Sequence, residues 1–447
     1  MNKKILIIIL SIISGMASAQ TLNLDSCKRL TLTHNKKINE ARLKVEESEQ
    51  VKKQAYTNYY PQVMGGIMAM KADDYLLKEQ IPAANLPVYD GNLANIPNAT
   101  QFAYFPGMDL NMLDYTNIGY ITAIEPVYMG GQVRNGNKLA SLGKEISGHE
   151  LILSEKDALM KTEEQFWSLI SLKEKQKTID SYEKLLDTLY KDVSVSYDAG
   201  LIGRADLLKV ELKQNELEGN KLKLENGIEL LRMALCQNMG IAYSESITFE
   251  SEELKQTLVE EYFMSPDQAM QNRQEYQMLE KAIVAEELQK KMARGEVMPQ
   301  LAVGVQGLYL DMMDSQSTRG LLFATLNIPL SGWWGGSHKI KEHQVKIDIA
   351  ENRLAETSEL LTLQIEQSYR ELIESHQQVK IAQKSLEQVQ EHLKVTTDNY
   401  DAGIVNTSDL LEAQAMLQEV RDHYTDALCI SHIKIAGYHK AVAFSYK

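Results

Sequence analysis

A stretch of 15 residues occurs twice, and it constrains the fold more than any other feature of the chain. Residues 197–211 read YDAGLIGRADLLKVE and residues 400–414 read YDAGIVNTSDLLEAQ, 203 positions apart without a gap. Tyr-Asp-Ala-Gly recurs intact, as does the Asp of Asp-Leu-Leu (Asp206, Asp409), and charged, heptad-like runs flank both copies. Gly200 and Gly403 sit where two helices must reverse direction, because glycine readily takes the left-handed conformation that ends a helix. The helix that follows favours negative charge at its start, which Asp206 and Asp409 can supply. The pattern is a duplicated helical hairpin.

The rest of the composition narrows what such hairpins serve. Residues 1–19 combine Lys3 and Lys4, an apolar run and Ala17-Ser18-Ala19, which predicts a secretory signal peptide and a mature chain from Gln20. No cysteine directly follows that point, so lipid anchoring there is not supported. Beyond it no apolar stretch is long enough to span a bilayer as a helix, so any crossing must use strands. Cys27, Cys236 and Cys429 are odd in number and widely spaced, which predicts isolated thiols rather than a disulfide framework or a metal site. A net charge of −14 argues against nucleic acid as a partner. Charged residues make up 24% and prolines number nine, which points to long helices rather than an all-β domain.

Taken in order, residues 25–60 are a polar helical run with a break near His34-Asn35. Strand-like alternation begins at Pro61, with Val63, Gly65, Ile67 and Ala69 on one face. Residues 71–116 hold four of the nine prolines and read as a long surface loop. A second strand runs to Pro126. From about 137 to 197 there is no proline, and Ile179, Tyr182, Leu186, Leu189 and Val193 make a 3-4 seam. That is about 90 Å of helix, far more than a compact domain needs. A poorly periodic, acidic segment at 241–265 joins the halves. The second half then replays the first, with strands at Pro299 onward and up to Pro329, and only a short turn at 311–318 between them. The predicted organisation is a signal peptide (1–19), a first repeat (20–240; strands about 61–70 and 117–128, tip 197–206), an equatorial linker (241–265) and a second repeat (266–447; strands about 299–310 and 319–330, tip 400–409).

Each half is thus helix, strand, strand, long helix, tip, helix: a mainly α chain with a small transmembrane β part in two tandem repeats. Four strands of about ten residues have bilayer-spanning length when tilted. In the first strand of each pair one face is apolar and the other small or polar; the faces of the second strands stay unassigned. Four strands cannot close on themselves, and bare edges are not tolerated in lipid. Identical neighbours around one axis must supply the edges, and three copies give twelve strands, enough for a bore. Trp333 and Trp334 suit an interfacial aromatic belt.

The twofold repeat, the Pro-Gln strand starts, the Pro-then-Gly-Gly strand ends and both Tyr-x-x-Gly tips resemble the TolC family of outer-membrane efflux ducts, over essentially the whole mature chain. The resemblance implies a homotrimer in the bacterial outer membrane, extending into the periplasm, with a 12-stranded β-barrel continuous with a 12-helix α-barrel. It implies tips forming a closable entrance that meets a periplasmic adaptor (membrane fusion protein) and an inner-membrane pump of RND, ABC or MFS type. In the family an Asp after the first tip bonds to the Tyr of the second; that carries over to Asp206 and Tyr400. The Arg usual after the second glycine is Val405 here, and Arg204 could take its place. Asp409 and Glu412 match an acidic ring that would favour cations. Gly200, Leu201, Gly403 and Ile404 would form the adaptor contact.

No enzyme motif competes. Gly131–Lys138 departs from a phosphate loop, since Asn137 intrudes and no hydroxyl follows Lys138. His338 and His343 are five apart on a helix, an awkward spacing for a shared metal. No catalytic residue, cofactor or metal is expected. The rival readings are a type I protein-secretion duct, which shares every feature, and a non-pore periplasmic coiled-coil adaptor or tether.

Overall fold

The computed structural model describes residues 20–112, 114–251, 263–312 and 315–443. The expected signal peptide and residues 252–262 of the expected linker lie outside the described residues. Of the described residues, 68% are helical. It divides into two compact units, one of residues Met1–Glu49, Leu142–Val284 and Ile347–Lys447, the other of Gln50–Ser141 and Ala285–Lys346.

The helices are α1 (Leu24–His34), α2 (Lys36–Tyr56), α3 (Gln132–Asp198), α4 (Arg204–Met239), α5 (Pro266–Asn272), α6 (Gln274–Glu296), α7 (Gly332–Asp401) and α8 (Thr407–Ala441). Asn35 makes the break between α1 and α2, its side-chain carbonyl accepting from the nitrogens of Lys37 (2.8 Å) and Ile38 (3.1 Å). Helices α3 and α7 are 67 and 70 residues long, each about 100 Å at 1.5 Å per residue.

In the first unit the predicted 3-4 seam of α3 is buried. Ile179, Tyr182, Leu186, Leu189 and Val193 pack with Val210 and Leu217 of α4 and with Leu410 and Leu411 of α8. A second core gathers Leu22, Phe166, Trp167, Leu235 and Phe249. It is sealed by a parallel pair, β1 (Gln20–Leu22) with β8 (Ile247–Phe249), inside the stretch that showed no period in sequence. The same core holds Cys27, Cys236 and Cys429, all free thiols. All three are free, as expected, although helices distant in sequence contribute them to one apolar cluster. Burial pushes the Cys27 and Cys429 thiols up to about 12, so they pack as small hydrophobes rather than react.

The second unit contains β2 (Gln62–Lys71), β7 (Tyr115–Met129), β9 (Gln300–Met312) and β10 (Ser315–Asn327) in one sheet, ordered β10-β9-β7-β2 with every neighbour antiparallel. Pro126 falls at a bulge between Pro126 and Tyr128, where a missing N–H is tolerated. The register assigns the faces that sequence alternation left open. Val63, Ala123, Val305 and Leu322 are consecutive cross-strand partners, and Gly65, Ile121, Gly307 and Gly320 share their face. Met64, Thr122, Gln306 and Leu321 lie on the other, with Gly66, Tyr120, Leu308 and Arg319. On that second face the Tyr120 ring lies over Gly66 and the Phe323 ring over Gly304, where a Cβ would come within 2.7 and 2.4 Å of ring carbons.

The segment 71–116 is not the loop expected from its prolines. It is a long hairpin: β3 (Leu77–Ile81) pairs antiparallel with β6 (Met108–Met112), and β4 (Ala84–Pro87) with β5 (Phe102–Phe105). Its prolines stand between or at the ends of ladders, at 82, 87, 97 and 106, so they interrupt pairing without abolishing it.

Candidate functional site at the hairpin tips

Both long helices end in the same way. Gly200 (φ +73°) donates to the Tyr197 carbonyl at 2.8 Å and Leu201 to Ser196 at 2.9 Å. Gly403 (φ +71°) donates to Tyr400 at 2.9 Å and Ile404 to Asn399 at 2.8 Å. These paired bonds are the Schellman ending, and the positive φ explains why glycine recurs. The residue after each glycine is apolar and without cover, Leu201 at 78% and Ile404 at 72% exposure. Nothing lies within 4 Å of a Cβ built on either glycine. Both tips therefore offer an open backbone turn beside a bare aliphatic side chain.

The two tips lie side by side. Leu410 and Leu411 of α8 are in the same cluster as Val193 of α3 and Val210 of α4, with Tyr400 and Leu393 packed against it. Lys209 donates to the Ser408 hydroxyl at 2.7 Å, from α4 to the first turn of α8. Sequence reading missed this bridge; an Asp206–Lys209 i,i+3 pair was the available signal for Lys209, and nothing marked Ser408.

The residues singled out for closing the entrance fall as follows. Asp206 is 3.6 Å from the Lys209 ammonium, and no hydrogen bond joins it to Tyr400 among the described residues. Tyr400 is half-buried against the tip cluster. The Asp409 carboxylate accepts from the Asn406 nitrogen at 3.1 Å, while the Asn406 side chain accepts from Ser408 (2.8 Å) and Asp409 (3.2 Å) nitrogens. That reciprocal capping box occupies Asp409 at the start of α8. Glu412 and Arg204 are exposed, and Val405 is half-buried. Trp333 and Trp334 lie in the first turn of α7; the Trp333 indole donates to the Val297 carbonyl at 2.9 Å, and Trp334 is 82% exposed.

Further along the same helices a carboxylate pair faces α3. Asp426 accepts from the Ser171 hydroxyl and the Lys175 ammonium, each at 2.6 Å. Asp422, one turn earlier on α8, has an Oδ1 that is shielded from solvent and hydrogen-bonded to nothing. Burial pushes its carboxyl up to about 6, Lys175 opposes the rise and the Asp426 charge adds to it.

Among the described residues no His, Cys, Asp and Glu group could hold a metal, and no helix is long and apolar enough to cross a membrane.

The described residues thus combine a four-stranded sheet with two bare edges and two long helical hairpins. Residues 265–428 match the family described as outer membrane efflux protein. Its fold is similar to the Campylobacter jejuni CmeC outer membrane channel (13% identity, TM-score 0.76, covering 94% of this chain and 85% of that one). It is likewise similar to the Vibrio cholerae outer membrane protein VceC (13%, 0.73, 95% and 97%) and to the open state of the Neisseria gonorrhoeae MtrE channel (13%, 0.71, 94% and 88%). At these identities the likeness concerns the fold. No curated protein sequence matches the chain. The family comprises outer-membrane channels that extend into the periplasm, not enzymes, which as homotrimers work with adaptors and inner-membrane pumps.

Proposed function

We propose that three copies of this chain form a closed 12-stranded barrel continuous with a 12-helix α-barrel, each copy contributing two tandem repeats. The single observation that carries this reading is the pair of unpaired edges, β2 and β10. The strands alternate in direction across the sheet, so β10 of one copy would meet β2 of the next antiparallel, continuing the pattern around a ring. Exposed stripes on the helices support the same assembly: Leu212, Leu222 and Leu230 on α4, and Leu360, Leu363 and Ile381 on α7, are all about half exposed or more. In a ring of copies these two stripes would face each other.

The face carrying Val63, Ile121, Val305 and Leu322 would meet lipid, and the face carrying Thr122, Gln306 and Arg319 would line the bore. Such a duct exports small molecules handed over by a periplasmic adaptor and an inner-membrane pump of RND, ABC or MFS type. The adaptor would dock on Gly200-Leu201 and Gly403-Ile404, where the exposed aliphatics lack an intrachain partner. Asp206, Tyr400 and Arg204 would hold the entrance closed, and Asp409 and Glu412 would ring it with negative charge.

Two measurements test the reading. The mature chain should migrate as a heat-modifiable trimer from detergent, and it should conduct ions in planar bilayers with cation preference. A chain that stays soluble and monomeric without detergent would instead be a periplasmic tether.

A further inference from the structure

The long hairpin between β2 and β7 has a distal half that four strands per copy leave unexplained. Both of its strands break at one level, where Pro82 follows β3 and Pro106-Gly107 precedes β6. Gly107 takes φ +69°, and a Cβ there would stand 2.8 Å from the Ala83 nitrogen, so the two backbones nearly touch at the break.

The chemistry changes past that point. Residues 82–107 contain one charged side chain, Asp90, whose carboxylate accepts from the Asn92 nitrogen (2.9 Å) and the Asn95 amide (2.8 Å). The other charges of the hairpin sit in the stem, at Asp73, Asp74, Lys78, Glu79, Asp109 and Asp114. Yet Leu86, Tyr89, Leu93, Phe102 and Tyr104 of the distal half are 49, 59, 74, 58 and 70% exposed. Phe102 and Tyr104 share one face of the β4–β5 ladder, whose outer edges are also unpaired. A two-stranded hairpin is marginal by itself in water, and an uncharged apolar surface with bare edges calls for a cover.

We infer that this cover is the same hairpin of the neighbouring copies, and that three distal hairpins pack together to close the outer mouth of the duct. The inference rests on the trimeric reading above. The hairpin's outer strands continue from β2, the edge at which the next copy joins, so assembly brings three identical hairpins to one rim. The other strand pair cannot contribute, since β10 starts at Ser315 directly opposite Met312. Three hairpins supply six strands at this level, against twelve below; even eight strands have an interior that side chains fill, so six leave no passage. Like-charge repulsion among them is confined to Asp90, the one ionised group in each distal half.

The test uses the full chain. A Tyr104→Cys variant treated with a short bifunctional maleimide should give covalently linked copies, while the parent, with its three buried thiols, should give none. Replacing residues 83–105 by two glycines should raise single-channel conductance at least twofold. If that deletion fails to assemble, the paired change Leu93→Asp and Tyr104→Asp, which keeps every backbone bond, must raise conductance instead. Unlinked copies together with unchanged conductance would overturn the inference. So would quenching of a fluorophore at position 104 by brominated lipid without any linking, which would place the hairpin on the membrane surface. A parent chain that forms no trimer would overturn both readings, and it is recognised from the untreated parent alone.

Discussion

Lys209 donates to the hydroxyl of Ser408 at 2.7 Å, tying the returning helix of one hairpin to the start of the other. The same ammonium is 3.6 Å from Asp206. Asp206 is thus engaged by a cation of its own helix within a single copy, and Lys209 links it to the second tip. Lys209→Ala and Ser408→Ala should each raise the open probability of the channel in planar bilayers. Because both remove one bond, the double variant should gain no more than the larger single change. Additive gains would show that the two residues act separately.

Leu201 and Ile404 test the tips as a docking surface. Changing both to Asp should remove adaptor co-purification. Trimer yield and conductance should stay as in the parent, since neither side chain packs within its own chain. Retained adaptor co-purification would sink the assignment.

The seam between α3 and α8 should respond to pH. Asp422 has a folded-state value of about 6, above the ordinary carboxylate near 3.9 of an unfolded chain. A raised carboxyl binds its proton more tightly when folded, so this group's contribution favours the folded state increasingly as pH falls from about 6 towards 4, and disfavours it above. The charged form must coexist with Asp426 beside one lysine. Asp422→Asn should flatten the dependence of the thermal midpoint on pH between 4.5 and 7, and should raise the midpoint at pH 7. An unaltered pH profile would show that the carboxyl titrates in the ordinary range.

The cross-strand pair Gly304–Phe323 sets a steric test of the sheet. A Cβ on Gly304 would come within 2.4 Å of the Phe323 ring, so Gly304→Val should cost about 1–3 kcal/mol by overpacking. The trimer should dissociate at a lower temperature on gels. Adding Phe323→Ala should restore most of the loss, because the ring is what the new methyl groups meet.

Much of this was legible in the sequence, and the parts that were not share a cause. Local periodicity located the 3-4 seam from Ile179 to Val193, and glycine chemistry located both turns. Alternation located Val63 and Ile67 within a strand. It failed for β7, where Ile121 to Ile124 mixes residue types, because a face is decided there by partners on β2 and β9 that lie far away in sequence. The hairpin at 77–112 was hidden by its prolines: the rule that proline ends a strand is true of each short ladder and misleading for the series. That Cys27, Cys236 and Cys429 belong to one core could not be seen, since no local signal encodes which turns of three distant helices pack together. At the tips, the acidic residues were visible but their partners were not. Asp409 is consumed by Asn406 and Asp206 by Lys209, both short-range contacts that family resemblance does not address.

The helices that leave the two tips are not secured alike. Helix α8 starts from Asn406, whose side chain and that of Asp409 answer each other's backbone nitrogens. Helix α4 starts from Gly203, which offers no side chain at all. Against glycine such a side-chain cap is worth a few tenths of a kcal/mol, enough to make fraying of the first turn somewhat rarer. Each copy therefore carries one stiff fingertip and one pliant one, and a partner pressing on both would bend the pliant one first.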